Sequence, residues 1–328
     1  MKNILGIGNA LVDVMTFIDN DEILDKFSLP KGSMTLVDIE KSELVKKSTA
    51  GMKRSRASGG SAANTIHGAA MLGIKTGFIG SVGKDETGDF FEGDMKRAGV
   101  KTILLRRNQA TGTAVALISP DSERTFATHL GAAIELRDND LKPDYFEPFR
   151  ILYMEGYLIT DKMLVEKACI LARTNNMEIA LDLASYNVVD SYLKDFRYII
   201  ENYVDILFAN EDEARSYTGV DPEEALKIMA DQCKIAIIKT GSKGSLIKRN
   251  EEFIKIGSLP VNCRDTTGAG DLYVSGFLYG YSLGLELDKC GSVGALMAGK
   301  VIESVGARID NKKWPRISRA VSKLIKDQ

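Results

Sequence analysis

Asp265-Thr266-Thr267-Gly268-Ala269-Gly270-Asp271 combines two glycines, an alanine and a carboxylate just before an apolar segment that runs through Gly280. Phe277, Leu278 and Tyr281 fall on one face at helical spacing, so the stretch reads as a tight loop opening into a helix. The first N–H groups of a helix lack intrahelical partners and sit at the positive end of its dipole. Glycine lets such a backbone approach an anion closely. Asp271, in that first turn, would stand beside whatever anion the amides hold. An anion cradle next to a carboxylate base is what phosphoryl transfer to a hydroxyl requires. The same residues also describe a glycine turn whose aspartate merely supports a helix start, so the rest of the chain has to decide.

A second small-residue stretch, Ser58-Gly59-Gly60-Ser61-Ala62-Ala63-Asn64, leads into another helical pattern. Small residues there permit either close approach of a ligand or tight helix packing, and Asn64 can both donate to and accept from a hydroxyl. The apolar start of the chain reads as a buried strand that ends near Asn9, with Asp13 beyond it. From residue 139 strand and helix patterns alternate, with strands expected at 151–154, 178–183, 206–209 and 235–239 and helices at 162–174 and 223–232. Such alternation implies a mostly parallel sheet with helices on both faces. Asp182, the run from Asn210 to Glu213, and Thr240-Gly241-Ser242-Lys243-Gly244 each follow one of these strands. Polar groups at several strand ends on one edge favour a ligand crevice over simple capping. Between residues 101 and 130 the pattern is different: short strand-like runs around 103–105, 113–118 and 125–128, no long helix, and a hairpin turn at 120–123. That block is expected to form a small antiparallel sheet projecting from a single large α/β domain over 1–328, together with strand-like runs near 13–18 and 33–37.

Composition narrows the function classes. The 328 residues are 44% hydrophobic and 27% charged with a formal net charge of −2, a globular balance without the basic surplus that nucleic-acid or membrane-surface binding calls for. Cys169, Cys233, Cys263 and Cys290 are far apart, which argues against a zinc site or a disulfide framework. With only His67 and His129, a histidine-based triad is not expected. No signal-peptide pattern and no membrane-length apolar run is seen, so a cytoplasmic protein is expected.

Taken together and in this order, the motifs resemble those of the PfkB (ribokinase-like) carbohydrate and nucleoside kinases over nearly the whole chain. Residues 265–271 and the following helix are similar to the second signature of that family, and Gly59-Gly60-Ser61-Ala62-Ala63-Asn64 to the first. Asn210 and Glu213 match its N-x-x-E element, and Gly241-Ser242-Lys243-Gly244 its nucleotide turn, although Lys239 stands where many relatives carry threonine. Gly8-Asn9-Ala10-Leu11-Val12-Asp13, residues 24–29 and residues 124–133 look closest to the adenosine kinase branch.

The resemblance implies a ribokinase-like three-layer fold with a small β lid, and a division of roles. Asp271 would be the base, and the N–H groups of Ala269, Gly270 and Asp271, with Gly268 allowing the turn, would hold the transferring phosphate while Arg124 contacts it. Asn9, Leu11, Asp13, Gly59, Gly60, Asn64, Tyr157 and Leu158 would bind the acceptor. Asn210, Glu213, Lys239, Gly241, Gly244 and Thr266 would bind ATP, with Glu213 placing magnesium through water. Some relatives also bind potassium, here near Asp265 and Thr267. The expected acceptor is the primary hydroxyl of a ribonucleoside, adenosine foremost. The alternatives are a sugar such as ribose or fructose, and a nucleoside or nucleotide sensor that has lost catalysis. A monomer is expected, with a lid-mediated dimer as the alternative the family offers.

Overall fold

The computed structural model describes residues 1–121 and 123–326. Its strands are β1 (Ile4–Ile7), β2 (Leu11–Phe17), β3 (Met34–Leu36), β4 (Arg54–Gly59), β5 (Thr76–Gly83), β6 (Val100–Arg107) and β7 (Thr111–Ile118), then β8 (Arg124–Gly131), β9 (Ile151–Glu155), β10 (Glu178–Asp182), β11 (Ile206–Asn210), β12 (Ile235–Lys239), β13 (Ser245–Arg249) and β14 (Glu252–Ile256). Nine of them form one sheet in the order β14-β13-β12-β11-β10-β9-β1-β5-β6, parallel except for the β12-β13-β14 edge.

The inner strands are near-continuous apolar runs because helices cover both faces of the sheet. Successive side chains alternate between the two faces. Ile4, Tyr153, Ala180, Phe208 and Ile237 pack on one side with Val274 and Phe277. Leu5, Leu152, Ile179, Leu207 and Ala236 pack on the other, against the helices Lys162–Thr174, Tyr186–Tyr203 and Pro222–Ala230. The helix Ala269–Ser282 lies on the first face with Ser61–Met71 and Leu287–Val301. Behind it, Trp314, Ile317 and Val321 of the helix Trp314–Lys326 cover Leu272 and Val293.

The second sheet has the order β3-β8-β7-β2-β4. Two parts of the sequence expectation need correction. Residues 101–107 belong to β6, which pairs with β5 in the main sheet, Thr76 opposite Val100 through Gly83 opposite Arg107. The second sheet instead takes β4, whose polar Arg-Ser-Arg run has little strand propensity of its own and is held by antiparallel pairing to β2, with Asp13 opposite Ala57. Alongside its antiparallel β2–β4 and β7–β8 pairs, the sheet contains parallel β2–β7 and β3–β8 pairs. The expected turn at 120–123 does link β7 to β8, with Ser122 outside the described residues. Among the described residues no helix is long and apolar enough to cross a membrane.

Candidate active site

All parallel strands of the main sheet end on one edge, and register fixes which of their last residues are neighbours. Glu155 closes β9 opposite Asp182 of β10, and Asn210 closes β11 opposite Lys239 of β12. The helix Ala269–Ser282 points its N-terminus at the same edge, with Gly268 as its cap at a φ of 75°. A Cβ at Gly268 would come within 2.6 Å of Ala307 Cβ, so this corner needs glycine for both its conformation and its packing. The backbone N–H groups of Gly270 and Asp271 have no hydrogen-bond partner among the described residues. That of Ala269 donates to Thr266 O at 3.1 Å, so the expected three-amide cradle has two amides free.

Asp271 sits between these amides and the first turn of the Ser61–Met71 helix. Its Oδ1 accepts from Ser61 Oγ at 2.7 Å and its Oδ2 from Asn64 Nδ2 at 2.9 Å. Burial raises its pKa above the ordinary aspartate value, while the bonds from Asn64 and Ser61 pull it back. Thr65 Oγ1 donates to the Asp271 carbonyl at 3.1 Å, tying the two helix starts together. A carboxylate whose orientation is fixed by two donors, with its remaining lone pairs turned to a cavity, is arranged to receive a proton.

Facing the free amides is Lys239. Its Nζ lies 3.3 Å from where a Cβ on Gly270 would stand, and it pairs with Asp182 Oδ2 at 2.5 Å. Burial works against this ammonium, and Asp182 and Glu213 more than restore it, so Lys239 remains charged. Amides and ammonium together form a positive pocket beside the Asp271 carboxylate.

Around them is a cavity of about 520 Å³ whose walls include Asp13, Gly60, Asn64, Tyr157, Asn210, Glu213, Lys239, Gly241, Gly244, Ala269, Gly270 and Asp271. An adjoining cavity of about 770 Å³, mostly apolar, is walled by Asn9, Leu11, Gly60, Tyr157 and Leu158 among others. Gly60, Ser61 and Tyr157 line both. Most of the expected site residues therefore converge on two connected spaces.

In the same cavity Asp13 comes from β2, and its carboxylate has no hydrogen-bond partner among the described residues. Burial pushes its pKa up to about 7, against the pull of the Arg308 guanidinium. Gly59 lies directly against its carboxylate and leaves no room for a side chain. Asn9 is anchored by Glu155 while lining the apolar cavity: its N–H and Nδ2 both donate to Glu155 Oε1, at 2.9 and 2.7 Å. Glu155 Oε2 accepts from Ala62 N at 2.8 Å, so this buried carboxylate, pushed up to about 7 by burial, staples β1 to the Ser61–Met71 helix.

On the nucleotide side Asn210 caps the helix Glu211–Thr218. Its Oδ1 accepts from Glu213 N at 2.8 Å, while its own N–H and Nδ2 donate to Glu213 at 2.7 Å each. This reciprocal cap holds the Glu213 carboxylate at the cavity wall, and burial raises it to about 7. Glu213 and Asp182 offer the hard oxygen donors magnesium prefers, and no group of three metal-ligating side chains is found among the described residues. That set fits a cation carried on nucleotide phosphates and reached through water.

Three expected residues fall elsewhere. Thr266 is exposed and lines neither cavity. Arg124 Nη1 donates to Asp265 and to Thr267 Oγ1 instead of facing the cavity. Asp265 also accepts from Thr267 N at 2.6 Å and from Gly306 N. A guanidinium and two amides thus already engage the Asp265 carboxylate, so its charge is met within the protein. Residues missed from the sequence include Ser61, which sits inside the recognised motif, and Glu155, whose place at a strand end on the site edge was an available signal. Arg308 reaches Ser58 O through Nε at 2.9 Å from a stretch 250 positions away, and nothing local in the sequence announces it.

Comparison with known proteins agrees with this fold. A solved probable sugar kinase from Rhizobium etli is 35% identical, covers 98% of each chain and superposes with a TM-score of 0.88. The adenosine kinase from Sinorhizobium meliloti is 33% identical, covers 98% of this chain and 99% of its own, and has a TM-score of 0.87. The 5-dehydro-2-deoxygluconokinase of Geobacillus thermodenitrificans is 30% identical over 75% of this chain and 78% of its own. The pattern of the pfkB family carbohydrate kinases matches residues 32–314, most of the chain. The chain therefore belongs to the pfkB family of carbohydrate kinases and is an ATP-dependent kinase.

Proposed function

We propose that the acceptor is the primary hydroxyl of a ribonucleoside, and that the reaction converts adenosine and ATP to AMP and ADP. The observation that carries this is the pair of joined cavities. The polar one holds Asp271, Lys239 and the free amides, and the apolar one opens from it past Gly60 and Tyr157. A sugar alone would need only the polar space. The second space, about 770 Å³ and walled by Leu11, Leu136 and Leu158, suits a flat heterocyclic base and falls within the size range of ligand pockets. The likeness to the Sinorhizobium meliloti adenosine kinase supports the same acceptor.

In the reaction Asp271 accepts the hydroxyl proton while the acceptor oxygen forms its bond to the γ-phosphorus. The bond from that phosphorus to the bridging oxygen breaks, and ADP leaves with those electrons. The N–H groups of Gly270 and Asp271 and the Lys239 ammonium stabilise the charge on the transferring group. Magnesium, when bound, neutralises nucleotide phosphate charge. Asp13 and Asn64 orient the ribose hydroxyls; among the described residues Asn64 Oδ1 is buried without a partner and the Asp13 carboxylate accepts no hydrogen bond. The second sheet acts as the lid that excludes water.

The test is turnover with ATP and magnesium across adenosine, ribose and fructose, with the phosphorylated product identified by chromatography. AMP formation from adenosine at the highest kcat/KM is expected. Efficient phosphorylation of the sugars with adenosine untouched would establish the sugar-kinase alternative.

A further inference from the structure

A third cavity, of about 580 Å³, lies between the second sheet, the helices Ser61–Met71 and Glu86–Arg97, and the segment 303–313. None of its wall residues lines either active-site cavity. Its charges are unbalanced. Of its carboxylates, Asp94 pairs with Arg97 at 3.0 Å, Glu303 pairs with Lys300 at 2.9 Å, and Asp310 accepts from Lys312 N at 2.9 Å.

Four of its cations, Arg56, Arg264, Arg308 and Lys313, form no ion pair among the described residues. Arg56 lies over the Phe90 ring at 4.8 Å, and Lys313 donates to Ser304 Oγ at 2.8 Å. Arg308 spends Nε and Nη2 on Ser58 O, at 2.9 and 2.6 Å, and its Nη1 is buried with no partner among the described residues. A roomy polar cavity with four cations on its walls, none of them in an ion pair among the described residues, is a poor structural solution and a good anion site. The walls supply directional donors as well as charge, which suits a phosphate group with its several acceptor oxygens.

We propose that this cavity is a second ligand site, for a small polyanion of the phosphate-ester class, and that its occupancy is felt at Asp13 through Arg308. The coupling path is short. Arg308 holds Ser58 of β4, Ser58 pairs with Val12 of β2, and the next residue, Gly59, lies against the Asp13 carboxylate. Arg264 carries the other link, because it immediately precedes Asp265 and its N–H donates to Ile302 O at 2.8 Å beside the same segment. An anion that engages Arg308 therefore alters the charge and the backing of the residue placed against the acceptor, and Arg308 makes no hydrogen bond to Asp271, which is held by Ser61 and Asn64. Its kinetic signature is a changed acceptor KM at constant kcat. The site itself stands independently of which acceptor is used.

Pyrophosphate is a suitable probe, titrated calorimetrically into the full chain with no nucleotide or acceptor present, so that the result does not depend on turnover. The Arg264→Ala/Lys313→Ala variant should weaken binding by about tenfold or more, the equivalent of losing one charge-assisted bond. Lys239→Ala, which removes the ammonium of the active site, should leave this binding event in place. Arg264 is exposed and Lys313 lies near the surface, so the fold should persist; the melting midpoint checks it, and Arg264→Gln/Lys313→Gln replaces the alanines if they melt early. No binding at millimolar pyrophosphate would overturn the proposal. So would binding that survives in the Arg264/Lys313 variants, or that disappears only with Lys239→Ala.

Discussion

Arg124, the first residue of β8 in the second sheet, bonds Asp265, the residue that opens the loop leading to the anion cradle. The two are 141 positions apart, and the Asp265 side chain is completely buried. This bond joins the second sheet to the 265–271 loop, and the same guanidinium also bonds Thr267. Asp265 in turn takes Gly306 N, so the loop, the 303–313 segment and the second sheet meet at one carboxylate.

Arg124→Ala leaves a buried carboxylate with two amide donors and no counter-charge. Removing one partner of a buried pair costs about 3–5 kcal/mol. The retained Thr267 and Gly306 bonds put the expected loss at the lower end of that range. Thermal unfolding should show the lowered midpoint, and kcat/KM should fall because the second sheet is no longer tied to the 265–271 loop. A variant with wild-type stability and kinetics would mean that the bond carries no weight.

Acid should weaken acceptor binding. Asp13 is raised to about 7, so it is protonated below that pH and ceases to be a full acceptor for hydroxyls. The acceptor KM should therefore rise as pH falls through about 7. The sign for stability is opposite. A carboxyl that binds its proton more tightly in the folded state contributes stability at low pH that is lost as pH rises toward its folded pKa. Asp13→Asn should accordingly raise the melting midpoint at pH values above about 7 while impairing acceptor binding. Urea melts and KM values across that pH span check both halves.

Gly268→Ala should separate catalysis from acceptor binding. The position combines a φ of 75° with a 2.6 Å approach of any added Cβ to Ala307, and strain of this kind costs about 1–3 kcal/mol. Displacing the amides that follow should lower kcat by about 100-fold or more, the usual effect of losing one anion-hole donor, with little change in acceptor affinity. Pre-steady-state kinetics and calorimetry measure the two separately.

Much of this was legible in the sequence because the relevant signals are local. The strands β9 to β12 are apolar through their centres, and each ends in a polar residue on the site edge. Asn210 and Glu213 form a cap within a single helical turn. Asp271 sits in a glycine loop that can only open a helix. What could not be read is long-range. β6 looks like its neighbours β7 and β8 along the chain and differs only in pairing with β5. β4 is polar and becomes a strand through β2. The anchor that orients Asn9 at the cavity wall is Glu155, 146 positions away. Arg124 looked like a phosphate contact and is engaged by Asp265. In each case a partner distant in sequence decides what the residue does.

The most direct measurement is single-turnover phosphoryl transfer from ATP to adenosine by Asp271→Asn, with adenosine affinity measured in parallel. Asparagine keeps the size of the side chain and can still meet Ser61 and Asn64, but it cannot take the hydroxyl proton. The rate should fall by about 100- to 10,000-fold, the range a positioned general base contributes, while the dissociation constant for adenosine stays near that of the unmodified chain. A rate equal to that of the unmodified chain would contradict Asp271 as the base.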